Sequence, residues 1–323
     1  MRKKVLVVGS FVMDLIVETE EFPNRGETVL GTSFCTAPGG KGANQAVQMA
    51  LLDLDVSMAG KVADDDFGKA LINSVEASGV NTKHVKENGT FTSVGNVQIV
   101  NNQKGIVENR ISVGRGANVE VNCADMEFLK TEIYDYSLLV LQHEIPLKIN
   151  KYVRQLAKKN NVPVLLNPAP SYDLDIDDYF QIDYLVPNEH ELMDLCASSS
   201  KIQSLDDVIN MAKSIINRGT PNVIVTLGDR GSCWVTEDKY YYAEAEENVV
   251  SVDPTAAGDS FIGGLSYCIL NNIPIYDSLR ISNIIGAMTV SKSGAQTSLC
   301  NKQQVSDYIR SANKLELLEY FAS

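Results

Sequence analysis

Positive charge is in short supply in this chain of 323 residues: 28 Lys and Arg stand against 41 Asp and Glu, a net charge of -13. Nucleic acid and anionic membrane surfaces need a basic patch that replaces counterions, so neither is an expected partner. Any phosphate must instead be held locally, by backbone amides, a few lysines or a bound cation. Histidine is also scarce, and the three present (His84, His143, His190) have no metal-ligand spacing. The six cysteines form no C-x-x-C pair, and several sit in apolar runs where a free thiol is a small hydrophobe. That pattern reads as reduced thiols in the cytoplasm. There is no transmembrane run, no internal repeat and no low-complexity stretch. The start, Met1-Arg2-Lys3-Lys4 before Val5-Leu6-Val7-Val8-Gly9, imitates a signal peptide only until Asp14, Glu18, Glu20 and Glu21 interrupt it, and reads as a first strand. The G-x-G-x-x-G of a dinucleotide fold is missing after that strand, where the chain runs on as Gly9-Ser10-Phe11-Val12-Met13-Asp14.

What is present is a regular alternation of buried strands and polar turns. Residues 5–9 are continuously apolar, as in a parallel strand covered on both faces. Later strands are expected at 138–142, 162–166, 184–186 and 223–227, each ending in a polar, Gly or Pro-containing turn. The expected fold is α/β: a doubly wound, mostly parallel sheet flanked by helices, in one domain over residues 1–323. Residues 27–38, 92–100 and 105–113 read as short strands of a separate small sheet, the last two joined through Asn101-Asn102-Gln103-Lys104. Further elements are helices at 43–52 and 67–78 and a strand at 56–60. Asp64-Asp65-Asp66 reads as a helix cap rather than a calcium loop, because the acidic residues are consecutive.

Three stretches carry chemistry. In Val252-Asp253-Pro254-Thr255-Ala256-Ala257-Gly258-Asp259, small residues lead into a buried helix, so backbone amides and the positive end of the helix dipole can meet an anion. On this segment alone Asp259 reads equally as a base beside a phosphoryl group and as an ordinary first-turn stabiliser. Pro38-Gly39-Gly40-Lys41-Gly42-Ala43-Asn44 is not a P-loop, since Gly follows the lysine. It suits either a plain turn or a close backbone approach to a polyol, with Lys41 and Asn44 as donors. Asp14 stands past the carboxyl end of the first strand, as a ligand residue or a solvated strand-edge one.

Gly39-Gly40-Lys41-Gly42-Ala43-Asn44-Gln45, Asn167-Pro168-Ala169-Pro170, Asn188-Glu189-His190-Glu191, Thr226-Leu227-Gly228-Asp229-Arg230-Gly231, Asp253 to Asp259 and Gly294-Ala295-Gln296 occur in one order over nearly the whole chain. Together they resemble the ribokinase-like carbohydrate kinases. The resemblance implies ATP-dependent phosphorylation of the terminal hydroxymethyl of a pentose, with D-ribose first. It implies Asp259 as base and Ala256, Ala257 and Gly258 as the anion hole. Asp14, Gly40, Lys41, Asn44 and Glu144 match sugar-holding positions. Asn188 and Glu191 match the motif that organises Mg²⁺ and phosphate. Thr226, Gly228 and Gly231 match the nucleotide loop, and Asn283 lines the adenine pocket. A monovalent cation, K⁺, would lie at Asp253, Thr255, Thr289, Gly294 and Ser298. The small sheet, residues 14–38 and 91–114, matches a lid over the sugar that pairs with a second subunit in a homodimer.

Two positions depart from the family. Val12 replaces an Asn two residues before Asp14, which removes an amide from the sugar pocket and points to a sugar lacking a hydroxyl there, such as 2-deoxy-D-ribose. Pro254 replaces a usual Thr and removes a backbone donor near the cation position. Rival readings are a fructose, sugar-phosphate or nucleoside kinase, and a sugar-binding protein that keeps the fold without turnover.

Overall fold

A run of apolar residues without polar interruption is buried only between two layers, and Lys4–Val8 (β1) is placed so. Leu6 and Val8 enter one core cluster and Val5 and Val7 the other, so the strand's alternate side chains feed both faces of one sheet. The computed structural model describes residues 3–101, 107–171, 182–198, 201–247 and 249–321. After β1 come Val12–Thr19 (β2), Ser33–Gly39 (β3), Lys41–Leu51 (α1), Asp55–Ala63 (β4), Asp66–Ala77 (α2), Asn81–Gly89 (β5), Val94–Asn101 (β6) and Val107–Gly114 (β7). The middle of the chain forms Leu129–Glu132 (α3), Leu138–Gln142 (β8), Leu147–Lys159 (α4), Val164–Asn167 (β9), Tyr184–Leu185 (β10), Glu189–Leu195 (α5) and Leu205–Ile216 (α6). Val223–Thr226 (β11), Ser232–Val235 (β12), Tyr240–Ala243 (β13), Ala257–Leu270 (α7), Ile275–Val290 (α8) and Lys302–Ser311 (α9) follow.

The large sheet has the order β13-β12-β11-β10-β9-β8-β1-β4-β5 among the described strands. Every neighbouring pair from β5 to β11 is parallel, and only β12 runs against its neighbours. From β1 the chain goes outward on one side to β4 and β5 and on the other to β8 and beyond. The order therefore reverses between β1 and β8, and the crevice beyond their carboxyl ends is the expected ligand position in such a sheet. One core cluster packs Leu139 and Leu141 of β8 against Ile149 and Val153 of α4 and Val208 and Ala212 of α6. The other packs Leu138 and Val140 against Ala43 and Ala46 of α1 and Ile262 and Leu265 of α7.

The small sheet has the order β3-β2-β6-β7, with β2 antiparallel to β3 and parallel to β6, and β6 antiparallel to β7. The expected strand at 27–38 pairs only from Ser33. Upstream, the Glu27 carboxylate accepts from Asn24 N and Nδ2 and closes a turn instead. Residues 102–104 of the expected hairpin turn lie outside the described residues. Helix α1 begins at Lys41 rather than Ala43, because Gly40 at φ 97° turns the chain directly out of β3. Strand β4 is longer than residues 56–60, and α2 is capped as expected, Asp65 Oδ1 accepting from Gly68 N at 2.7 Å. All six cysteines are free thiols. No helix among the described residues is long and apolar enough to cross a membrane.

Candidate active site

Glu144 lies at the β1–β8 switch point, two residues past the end of β8. Ser10 Oγ, just past β1, donates to Glu144 Oε2 at 2.5 Å, and Lys41 N at the start of α1 donates to the same oxygen at 2.9 Å. Ser10 Oγ also accepts from Gly42 N at 3.2 Å. A carboxylate thus anchors the amino end of α1, as the helix dipole favours. Gly40 is required there: a Cβ would stand 2.8 Å from Val12 N and 2.9 Å from Ser10 O.

Asp259 lies in the first turn of α7, 6% exposed. Asn44 Nδ2 donates to its Oδ2 and Gln45 Nε2 to its Oδ1, both at 2.9 Å. Burial pushes its carboxyl up, against the opposing pull of Lys41 and the two amides. Lys41 is also drawn down by burial, but Asp259, Glu144 and Glu191 together hold its ammonium above the ordinary lysine value. The site therefore sets one cation among three carboxylates. Ahead of Asp259 the chain enters α7 through Ala256 at φ 61°, and first-turn amides of a helix have no intrahelical acceptor.

Asp14 projects from β2 across from Gly95 of β6, where a Cβ would come within 2.2 Å of its Oδ1. Burial, and then the charge of Glu144, push its carboxyl up to about 6. Val12, two residues earlier on the same strand, presents its side chain to the same face, 8% exposed. Its Cγ1 would lie 3.7 Å from that same Gly95 Cβ, so Val12 and Asp14 stand side by side over Gly95.

Further along the carboxyl edge, Asn188 and Glu191 form a capping box. Glu191 Oε2 accepts from Asn188 N at 2.8 Å, its Oε1 from Asn188 Nδ2 at 2.9 Å, and Glu191 N donates to Asn188 Oδ1 at 2.9 Å. Burial raises the Glu191 carboxyl. Asn188 bridges to Thr226 at the end of β11, and the turn Gly228 to Gly231 is tied to α5 by the Arg230–Glu189 ion pair. Asn283 is spent on structure: Oδ1 accepts from Ser232 Oγ at 2.8 Å, while Nδ2 donates to Ala243 O at 3.1 Å and Glu244 O at 2.9 Å. It shapes the wall after β13 rather than offering a free amide.

The loop before α7 meets the end of α8. Asp253 Oδ1 accepts from Thr255 N and its Oδ2 from Gly294 N, both at 2.9 Å, and Val252 N and Asp253 N donate to Val290 O. The hydroxyls of Thr289 and Ser298 donate to Ile285 O and Ala295 O. Asp253, Thr255, Thr289, Gly294 and Ser298 thus lie on two adjoining loops. Ser10, Gln45 and Gln142 also take part in the site, although no motif singled them out for a role. The available signal was a polar residue ending an otherwise apolar strand, Leu138-Leu139-Val140-Leu141-Gln142.

Residues 2–302 match the pfkB family of carbohydrate kinases. The ribokinase of Schizosaccharomyces pombe is 38% identical over 302 residues, covering 91% of this chain and 94% of that one. The deoxyribokinase of Salmonella typhi is 34% identical over 306 residues, covering 94% and 98%. The structure of Arabidopsis thaliana ribokinase complexed with ribose and ATP superimposes with a TM-score of 0.85 at 27% identity, covering 98% of this chain and 99% of that one. With a switch-point crevice, a clamped carboxylate at a helix start and matches running nearly end to end, the chain belongs to the pfkB family of carbohydrate kinases.

Proposed function

We propose that this kinase transfers the γ-phosphoryl group of ATP to the terminal hydroxymethyl group of a pentose, converting D-ribose to D-ribose 5-phosphate. The observation that carries the reading is the Asp259 carboxylate, buried at the amino end of α7 and held from both sides by Asn44 and Gln45. Asp259 takes the proton of the attacking hydroxyl. The amides of Ala256, Gly258 and Asp259 receive the charge on the transferring group, while that of Ala257, the remaining expected donor, is turned to Pro254 O at 3.3 Å. Asp14 and Glu144 accept from sugar hydroxyls, Lys41 and Asn44 donate to the sugar, and Gly40 lets the backbone approach it. ATP lies along Thr226, Gly228 and Gly231, with its base beside the wall that Asn283 orders.

Two cations fit these residues. Both Glu191 oxygens are engaged by Asn188, and no group of three acidic, Cys or His residues that could cage a metal occurs among the described residues. That suits a Mg²⁺ carried on nucleotide phosphates, with Asn188 and Glu191 behind its waters; bound there, it draws charge from the phosphates. At Asp253 the Thr255 hydroxyl and the backbone hydrogen bonds from Gly294 and Thr255 hold the carboxylate ionised against burial, and the Thr289 and Ser298 hydroxyls give their protons to backbone carbonyls, which leaves their oxygen lone pairs for a cation. Backbone oxygens of this loop pair suit K⁺, whose charge would lie beside the anion hole.

The small sheet acts as the lid, residues 14–38 and 91–114, and pairs with a second copy in a homodimer. The face bearing Asp14 carries the row Ile16, Cys35, Val97 and Ile111, and Ile111 and Val113 are 59% and 55% exposed, an apolar surface suited to burial against a partner. Six free thiols suit a reducing cytoplasm. A second reading, 2-deoxy-D-ribose as substrate, is favoured by the apolar Val12 side by side with Asp14 over Gly95. The test is ADP release with Mg²⁺ and K⁺ against D-ribose, 2-deoxy-D-ribose, D-fructose and a nucleoside. Pentose-dependent turnover is expected, with Asp259→Asn lower by about 10²–10⁴-fold. Turnover with no sugar would overturn the reading.

A further inference from the structure

Two fully buried side-chain amides form a chain that ends on Asp259. Gln142 Nε2 donates to Gln45 Oε1 at 2.7 Å. Gln45 Nε2 donates to Asp259 Oδ1 at 2.9 Å and to Asn167 Oδ1 at 3.3 Å. Asn167 is itself oriented, its Nδ2 donating to Val186 O at 3.0 Å, and the Gln142 backbone carbonyl accepts from Asn150 Nδ2 at 2.7 Å. Gln45 can sit only one way round. Flipped, its oxygen would face two acceptor oxygens and its NH₂ would face the Gln142 donor. Gln142 packs closely on Gly9, where a Cβ would come within 2.2 Å of its Oε1.

Burying two amides in the middle of a fold is costly when any donor or acceptor goes unmatched, and Gln142 Oε1 has no hydrogen-bond partner among the described residues. Two apolar residues of similar volume would fill the same space without that cost. What they could not do is hold a carboxylate oxygen.

We propose that Gln45 is a positioning residue for Asp259: its amide, fixed one way round by Gln142, holds one carboxylate oxygen while Asn44 holds the other. The inference deepens the proposed function and rests on Asp259 being the base. The charged groups that face Asp259 are Lys41 from α1, Glu144 from the turn after β8, and Glu191 from α5. Lys41 favours the ionised carboxylate, whereas Glu144, Glu191 and burial oppose it. The two neutral amides therefore help keep Asp259 ionised, and loss of one moves the balance toward the protonated form.

The experiment is the single-turnover rate of phosphoryl transfer against pH, on the sugar turned over fastest, for the wild type, Gln45→Met, Gln142→Met and Asp259→Asn. Methionine keeps the volume and removes the amide. In Gln45→Met the acid limb is expected to move upward by roughly one pH unit, the scale of a hydrogen bond to a charged acceptor. Gln142→Met should move it the same way by less. A Gln45→Met profile that falls equally at every pH and keeps the wild-type shape overturns the inference, because packing alone would do that. If Gln45→Met does not fold, an unmoved limb in Gln142→Met overturns it instead. An active Asp259→Asn sinks the base assignment itself, whereas an inactive one beside an unmoved limb sinks only the role of Gln45.

Discussion

Asn44 and Asp259 stand 215 positions apart in the chain and share a 2.9 Å hydrogen bond, so the carboxylate proposed as base keeps this donor only while α1 and α7 are packed closely. Gly263, one turn along α7 from Asp259, secures that approach: a Cβ there would lie 2.4 Å from Gln48 Cγ and 2.6 Å from Gln48 Cβ.

Gly263→Ala should accordingly destabilise the protein and slow it. Alanine gains about 1 kcal/mol in helix propensity over glycine, but overpacking of this kind costs about 1–3 kcal/mol, and the contact is with the inner atoms of Gln48 rather than a movable tip. A net loss of up to about 2 kcal/mol is expected in urea unfolding. Displacement of Asp259 should lower kcat more than it raises KM for the sugar.

Asp14, proposed to hold a sugar hydroxyl, is expected to make sugar binding pH-dependent. Its carboxyl is raised from an ordinary 3.8 to about 6, so the stability linked to it is complete below 3.8 and is lost as pH rises through about 6. Asp14→Asn should therefore gain stability relative to the wild type between pH 4 and 6 and hold a constant difference above, on the scale of these values. Sugar affinity runs the other way, because an ionised acceptor is what the hydroxyl needs. The wild-type KM for sugar should rise as pH falls through about 6, and the Asp14→Asn KM should be higher and flat.

Val12→Asn tests the sugar pocket. An amide beside Asp14 can meet a hydroxyl that an isopropyl group cannot, so the ratio of kcat/KM for D-ribose over 2-deoxy-D-ribose should rise by roughly tenfold, the upper scale of one hydrogen bond. No change in that ratio would mean that position 12 does not read the 2-hydroxyl.

Ile111→Glu addresses the proposed homodimer. A charge in the exposed apolar row of the Asp14 face should shift sedimentation from dimer toward monomer without changing the circular dichroism of the fold. A wild type that sediments as a monomer at micromolar concentration would remove the dimer altogether.

The buried strands were legible because each is covered on both faces and reads as one apolar run; β1, β8 and β11 lie within a residue or two of their expected limits. Strand β5 was not, since Asn81-Thr82-Lys83-His84-Val85-Lys86-Glu87 is a polar edge strand that pairs on one side only. The Asp259 neighbourhood was legible in type, a carboxylate at a helix start near a donor-rich turn. Its second donor was not: Gln45 reaches Asp259 only because Gln142 and Asn167 end adjacent strands, a fact of sheet order that no local pattern contains. Asn283 shows the reverse, a position matched to the nucleotide pocket whose amide the fold consumes.

The small sheet is assembled from two separate excursions of the chain. One supplies the antiparallel pair β2 and β3, the other the pair β6 and β7, and the parallel β2–β6 seam from Met13↔Val94 to Thr19↔Val100 joins them. Neither hairpin alone has the three strands that stability in water requires. A swap of substrate preference between relatives by recombination must therefore carry both segments together, and a crossover anywhere between Gly39 and Val94 would leave each parent's half-sheet facing an unmatched seam.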